Sequence, residues 1–210
     1  MPVPTFSVSS RPAQASVQAL SRSQAASRLS VSMGSLDKLI SAGMLGEPPI
    51  HLEPVERLQA MKTLEVASGE LTVLRTAPRA ACVFPNEGRD WIGFHVEMSD
   101  DEVSRASLRY WRSDPEKVLD NVLFAVTVAT FPVAVFQITE HVDTIVREDE
   151  KKARPRHGYG GVLLARRGRG GQIVSNDGTS ADLIERALQV MGSRVIADSG
   201  GPIAYLGPKA

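Results

Sequence analysis

The sequence predicts an α+β protein, in which a pair of short helices near the amino end precedes a compact mixed α/β domain with a mainly antiparallel sheet. Three observations carry this expectation. Two brief amphipathic segments lie within Ser21–Leu45, separated only by Ser30-Val31-Ser32. The run from Val122 to Ile138 is rich in β-branched and aromatic residues and is broken once, near Thr130-Phe131-Pro132. Helical and strand patterns then interleave without a regular βαβ rhythm, and no internal repeat appears.

The helical pair follows from local rules. Ser21 with Gln24 three residues on is a capping-box pattern and starts a helix. Ala25 and Leu29 fall four apart on one face with Ala26 beside them, small enough to let a second helix approach. Val31 is the single apolar residue of the turn and plugs the gap between the helices. Ser32 caps a second helix, in which Leu36, Leu39 and Ile40 form a buried stripe, and Gly43 stops it in the left-handed conformation. Two short helices across a tight turn, the second with an apolar back and a polar front, describe a helix-turn-helix. This unit is expected over residues 17–66, after a mobile Ser/Pro/Ala-rich arm over 1–16 and before the α+β domain over 67–210.

The segments Ala25-Ala26-Ser27-Arg28-Leu29, Ser30-Val31-Ser32 and Leu36 to Leu45 resemble the helix-turn-helix of excisionase-like and MerR-like DNA-binding domains. The resemblance implies a partner, double-stranded DNA, with the second helix in its major groove. Ser32, Met33, Gly34 and Ser35 would then face base edges, and Arg22, Arg28 and Lys38 would contact phosphates. It also implies a strand-turn-strand wing and a further helix, which Ile50-His51-Leu52 and Val55 to Leu64 are placed to supply. Glu47, Glu53 and Glu56 make that segment acidic where such wings are usually basic. Gly34 lowers helix propensity by about 1 kcal/mol against Ala; a close approach to DNA or a tolerated substitution accounts for it. A plain helical hairpin with solvated polar faces is the alternative for the whole segment.

In the second half, Asp90 to Met98 alternates like a strand. Ser99 with Glu102 forms another capping box, with Val103, Ala106 and Tyr110 on one side of the helix that follows. Asp114-Pro115 starts a short helix. Strands are expected at Val122–Ala129, Val133–Thr139, Gly161–Arg166 and in the terminal GGPIAYLG. A helix is expected over Thr179–Met191 with Leu183, Ala187, Leu188 and Met191 inward. The order of Trp111, Asp114, Phe124 to Ile138, Arg156, Gly160-Gly161 and Pro202-Ile203-Ala204-Tyr205 resembles the small β-barrel nucleic-acid readers of the PUA and ASCH type. That resemblance implies a reader of modified or structured nucleic acid.

Charge is segregated although the formal net charge is zero. Residues 1–46 carry a net +3, residues 47–102 a net −6, and residues 151–170 hold seven Lys/Arg and no acid. Lys151, Lys152, Arg154 and Arg156 precede the apolar Val162-Leu163-Leu164, and Arg166, Arg167 and Arg169 follow it. Arginines in glycine-rich loops suit a narrow minor groove or phosphates, so these residues offer a second DNA contact; the alternative is a solvated loop balancing Glu148 to Glu150.

Catalysis, metal and cofactor are not expected. His51, His95, His141 and His157 are dispersed, no nucleophile elbow accompanies His141-Val142-Asp143, and GYGG and GRGG lack the lysine of a phosphate loop. The one cysteine, Cys82, excludes an intramolecular disulfide and reads as a buried structural thiol. No secretory signal or spanning segment is expected, so the site of action is the cytoplasm, on the nucleoid. The overall plan resembles the immunity repressors of actinobacterial temperate phages, and the Ala/Arg/Gly/Val-rich composition suits a high-GC host. Without a dimerisation heptad, a repressor of this plan is expected to bind an asymmetric site as a monomer. An excisionase-like architectural role is a variant of the same expectation.

Overall fold

The computed structural model describes residues 19–147, 153–176, 179–198 and 200–208 of the 210-residue chain. The arm expected over 1–16, together with Glu148 to Glu150, Lys151 and Lys152, lies outside the described residues.

Strand β1 (Ala19–Leu20) leads into helix α1 (Arg22–Leu29), and Ser30-Val31-Ser32 turns the chain into α2 (Met33–Ser41). The caps form as the sequence predicts. Ser21 Oγ accepts from the Gln24 amide while Gln24 Oε1 accepts from the Ser21 amide at 2.8 Å. Ser32 Oγ accepts from the Ser35 amide at 3.1 Å. Ser30 at φ 52° reverses the chain, and Ala25, Ala26, Leu29, Leu36 and Leu39 are buried in one cluster. Gly43 at φ 73° ends the second helix, and the Met44 amide returns to the Leu39 carbonyl at 3.0 Å.

The expected wing does not form as a hairpin after α2. Strand β2 (Ile50–His51) pairs antiparallel with β1, ahead of α1, and α3 (Leu52–Gln59) begins at once, three residues earlier than Val55. Leu20 and Ile50 sit opposite each other, both buried, so apolar burial selects this pairing.

After β3 (Leu71–Thr76) come a two-stranded ribbon of β4 (Ala80–Ala81) and β5 (Trp91–Ile92), then α4 (Asp100–Leu108) and α5 (Pro115–Asp120). Strands β6 (Leu123–Val128), β7 (Phe131–Val146), β8 (Pro155–Arg167) and β9 (Ile173–Ser175), helix α6 (Ala181–Met191) and strand β10 (Ile203–Leu206) complete the chain. The main sheet runs β10-β3-β6-β7-β8-β9, antiparallel except for the β3–β6 pair. The molecule is α+β with a mostly antiparallel sheet. The sheet is open, with β10 and β9 as its edges.

Both faces of the sheet are covered. One cluster joins α1, α2 and α3 to Leu74, Phe94, Val103, Phe124, Val126, Phe131 and Phe136; the other joins α6 to Leu71, Val73, Ala125, Val135 and Leu164. A strand buried on both faces has no polar side, which is why Val122 to Ile138 reads as mostly apolar on either side of its one break, the Ala129-Thr130 turn between β6 and β7. The N-terminal helices therefore share a core with the sheet, across the boundary expected at residues 66 and 67. Among the described residues no helix is long and apolar enough to cross a membrane.

Three expectations are corrected. Asp90 to Met98 is a strand only at Trp91–Ile92, because Gly93 turns at φ 84° against the backbone of Ala77 and Pro78. Phe94, Val96 and Met98 are buried nonetheless, and the Val96 amide bonds to the Ala42 carbonyl at 3.0 Å. Leu188 is 40% exposed, since the inward stripe of α6 is Ala187, Val190 and Met191. Cys82 is half-buried, not buried.

The stop of α2 is also a packing point. A Cβ on Gly43 would lie 2.6 Å from Val96 Cγ2, at a φ that L-residues avoid. Gly43→Ala should lower unfolding free energy by about 2 kcal/mol, read as a lower urea midpoint at unchanged slope. A wild-type midpoint would show that α2 does not dock closely on the 94–98 segment.

Candidate nucleic-acid interface

The second helix has one buried side and one open side. Leu36 and Leu39 are buried, Ser35 and Asp37 are half-buried, and Met33, Gly34, Lys38 and Ser41 are exposed. A Cβ on Gly34 would meet nothing within 4 Å, so the protein's own packing does not require glycine there. Ser32 is exposed, but its hydroxyl caps α2 and donates to Ser35 Oγ at 3.1 Å. Its first role is therefore to hold the helix end.

The three cations expected at phosphates differ. Arg22 pairs with Asp37 and ties α1 to α2. Arg28 and Lys38 are exposed and make no ion pair among the described residues. Arg28 lies in the last turn of α1 and Lys38 in the last turn of α2.

The unit is held by its turn as well as its apolar back. Arg194, in the segment after α6, donates from Nη1 to the Leu29 carbonyl at 3.1 Å and from Nη2 to the Ser30 carbonyl at 3.3 Å. Its Nε reaches Thr130 Oγ1 at 3.0 Å, and its guanidinium lies 5.2 Å from the Phe131 ring centroid. Sequence reasoning missed Arg194, because nothing local connects it to a turn more than 160 residues away.

The second basic group is not one patch. Arg154 is exposed just before β8, and Arg156 is half-buried within it. Arg166, with a side chain 17% exposed, pairs with Asp100 at 2.5 Å. Arg169 is 81% exposed and pairs with Glu97 at 2.9 Å. Arg167 is 3% exposed and donates to the carbonyls of Pro132 at 2.8 Å and Met191 at 2.9 Å. As a direct DNA contact Arg167 is therefore corrected: strand pleating turns it inward, between β7 and the carboxyl end of α6.

A cluster the sequence did not reveal lies on the long β7–β8 pair. His141 Nε2 and His157 Nδ1 are 3.1 Å apart, and Thr144 Oγ1 is 3.1 Å from each. Burial, then the neighbouring His141, holds the His157 imidazole below the ordinary histidine value. Two bulges between Ile138 and Asp143 shift the register that brings these histidines together, so their spacing in the sequence carries no signal. No group of three or more His, Cys, Asp or Glu is placed to hold a metal among the described residues.

Compared with known protein families, curated proteins and solved structures, the chain matches none.

The contrast between neighbouring arginines is testable. Arg167→Ala strands two buried carbonyls and leaves a cavity, and should cost about 3 kcal/mol or more. Arg169→Ala removes an exposed pair and should stay within about 0.5 kcal/mol. Equal midpoints in chemical denaturation for the two variants would contradict the burial of Arg167.

Proposed function

We propose that the chain is a sequence-specific double-stranded DNA-binding transcriptional repressor, with α1 and α2 as a helix-turn-helix and α2 as the recognition helix in the major groove. The observation that carries this reading is the open face of α2, whose back is buried, together with Arg28 on α1 and Lys38 on α2, both exposed and outside any described ion pair. Met33, Gly34 and Ser35 lie at its amino end, the end that approaches base edges when such a helix enters the groove. Arg28 and Lys38 neutralise phosphates on either side.

The bare Gly34 position supports close backbone contact. A helix under selection for stability alone gains from a side chain there, and space for one exists. Contacts beyond the groove fall to the exposed Arg154 and to Arg169, which must exchange Glu97 for a phosphate. The phage-repressor plan and binding as a monomer to an asymmetric site belong to the same proposal.

Gly34→Ala separates stability from binding. It should leave the protein as stable or more stable, by up to about 1 kcal/mol, while weakening binding to a selected DNA site. Lys38→Ala should reduce the slope of log affinity against log salt by about 0.9 without changing the melting temperature. Unchanged affinity in Gly34→Ala, with an unchanged slope in Lys38→Ala, would remove α2 from the interface.

A further inference from the structure

Arg167 lines a cavity of about 370 Å³ whose other cation is Arg57 of α3. Its apolar lining includes Met61, Ile173 and Met191. No carboxylate lies within ion-pair distance of Arg167 among the described residues. Burial, and after it the charge of Arg57, pulls the Arg167 guanidinium down to about 10, so at neutral pH it still carries its charge. A buried cation that shares an apolar-lined cavity with a second cation, and with no described carboxylate, is an unbalanced arrangement.

The hydrogen bonds of Arg167 divide into two sets. The short contacts to Pro132 and Met191 fix it to the frame. The remaining contacts are weak: Nη1 to the Gly171 carbonyl at 3.3 Å and Nη2 to Met61 Sδ at 3.5 Å. Both weak partners line the cavity, and so does Arg57, whose guanidinium lies beside Gly171. Among the described residues Arg57 has one acidic partner, Glu53, at 3.3 Å with a carboxylate 85% exposed, which holds it loosely.

We propose that this cavity binds the carboxylate or phosphate group of a small organic acid, with Arg167 and Arg57 gripping the oxyanion and Met61, Ile173 and Met191 receiving its hydrocarbon body. An oxyanion replaces two weak contacts with charge-assisted hydrogen bonds and relieves the repulsion between the guanidiniums. The volume fits a small molecule. The cavity spans α3 and the ends of β8 and α6, and its chemistry is independent of whether α2 reads DNA.

The test uses the full chain, with hexanoate and inorganic phosphate as probes at ionic strength held constant by sodium chloride. Thermal melting and calorimetric titration are read together. A saturable rise in melting temperature is expected, with hexanoate alone assigning the site to carboxylates and phosphate alone to phosphate esters. Because Arg167 variants disturb the fold, the variants are Arg57→Gln and Gln172→Glu. Arg57→Gln should weaken the binding by about tenfold; Gln172→Glu, placing a carboxylate in the cavity lining, should abolish it. The proposal is overturned if neither probe exceeds the chloride control, or if both variants bind as the wild type does.

Discussion

One guanidinium ties the turn of the N-terminal helices to the sheet beneath their shared core. Arg194 bonds the carbonyls of Leu29 and Ser30 on one side and the Thr130 hydroxyl on the other. The Val195 amide then takes the Thr130 carbonyl at 2.9 Å. The β6–β7 turn it grips is itself strained: Ala129 and Thr130 have φ of 49° and 76°, the backbone of a type I′ turn without the glycine or asparagine that usually fills it. Left-handed backbone costs L-residues roughly 1–2 kcal/mol each, and the bonds from Arg194 and Val195 offset it. The same side chain thus stabilises a strained hairpin and fixes the turn between α1 and α2 relative to the sheet. A helix anchored at its turn, and at its end through Ala42 and Val96, presents its open face in a fixed direction.

Charge in this molecule acts by placement. The formal net charge is zero, and most of the arginines engage the protein itself. Glu87, buried, takes both Arg89 and Arg147, Arg166 takes Asp100, and Arg167 serves carbonyls. Among the described residues of α1 and α2, Arg28 and Lys38 are exposed outside ion pairs, so the electrostatic contribution of these helices to a DNA complex falls to them. A run of arginines in sequence is therefore a poor guide to a basic surface: Arg167 and Arg169, two apart, have opposite fates because a tight glycine-rich turn separates a buried strand end from solvent.

What was legible in the sequence was local. Capping at Ser21, Ser32, Ser99 and Asp114 and the glycine stop at Gly43 need only neighbours within a few residues, and each forms as the residues predict. The open and buried sides of α2 follow from the same periodicity. What was not legible depends on distant partners. The β1–β2 pairing, the parallel β3–β6 pair, the Arg194 clamp, the His141–His157 contact and the Arg57–Arg167 cavity each join segments with no shared local pattern. Asp90 to Met98 shows the converse: its alternation records burial of Phe94, Val96 and Met98 along an irregular backbone, which period-two spacing alone cannot separate from a strand.

The most direct measurement is selection of bound fragments from a random pool of duplex DNA, followed by methylation protection on the enriched site. The expected result is a short enriched sequence with guanine N7 atoms shielded in one major groove, and loss of that shielding in Gly34→Ala. Enrichment no greater than for the bare pool, or protection that Gly34→Ala leaves intact, would contradict the placement of α2 against base edges.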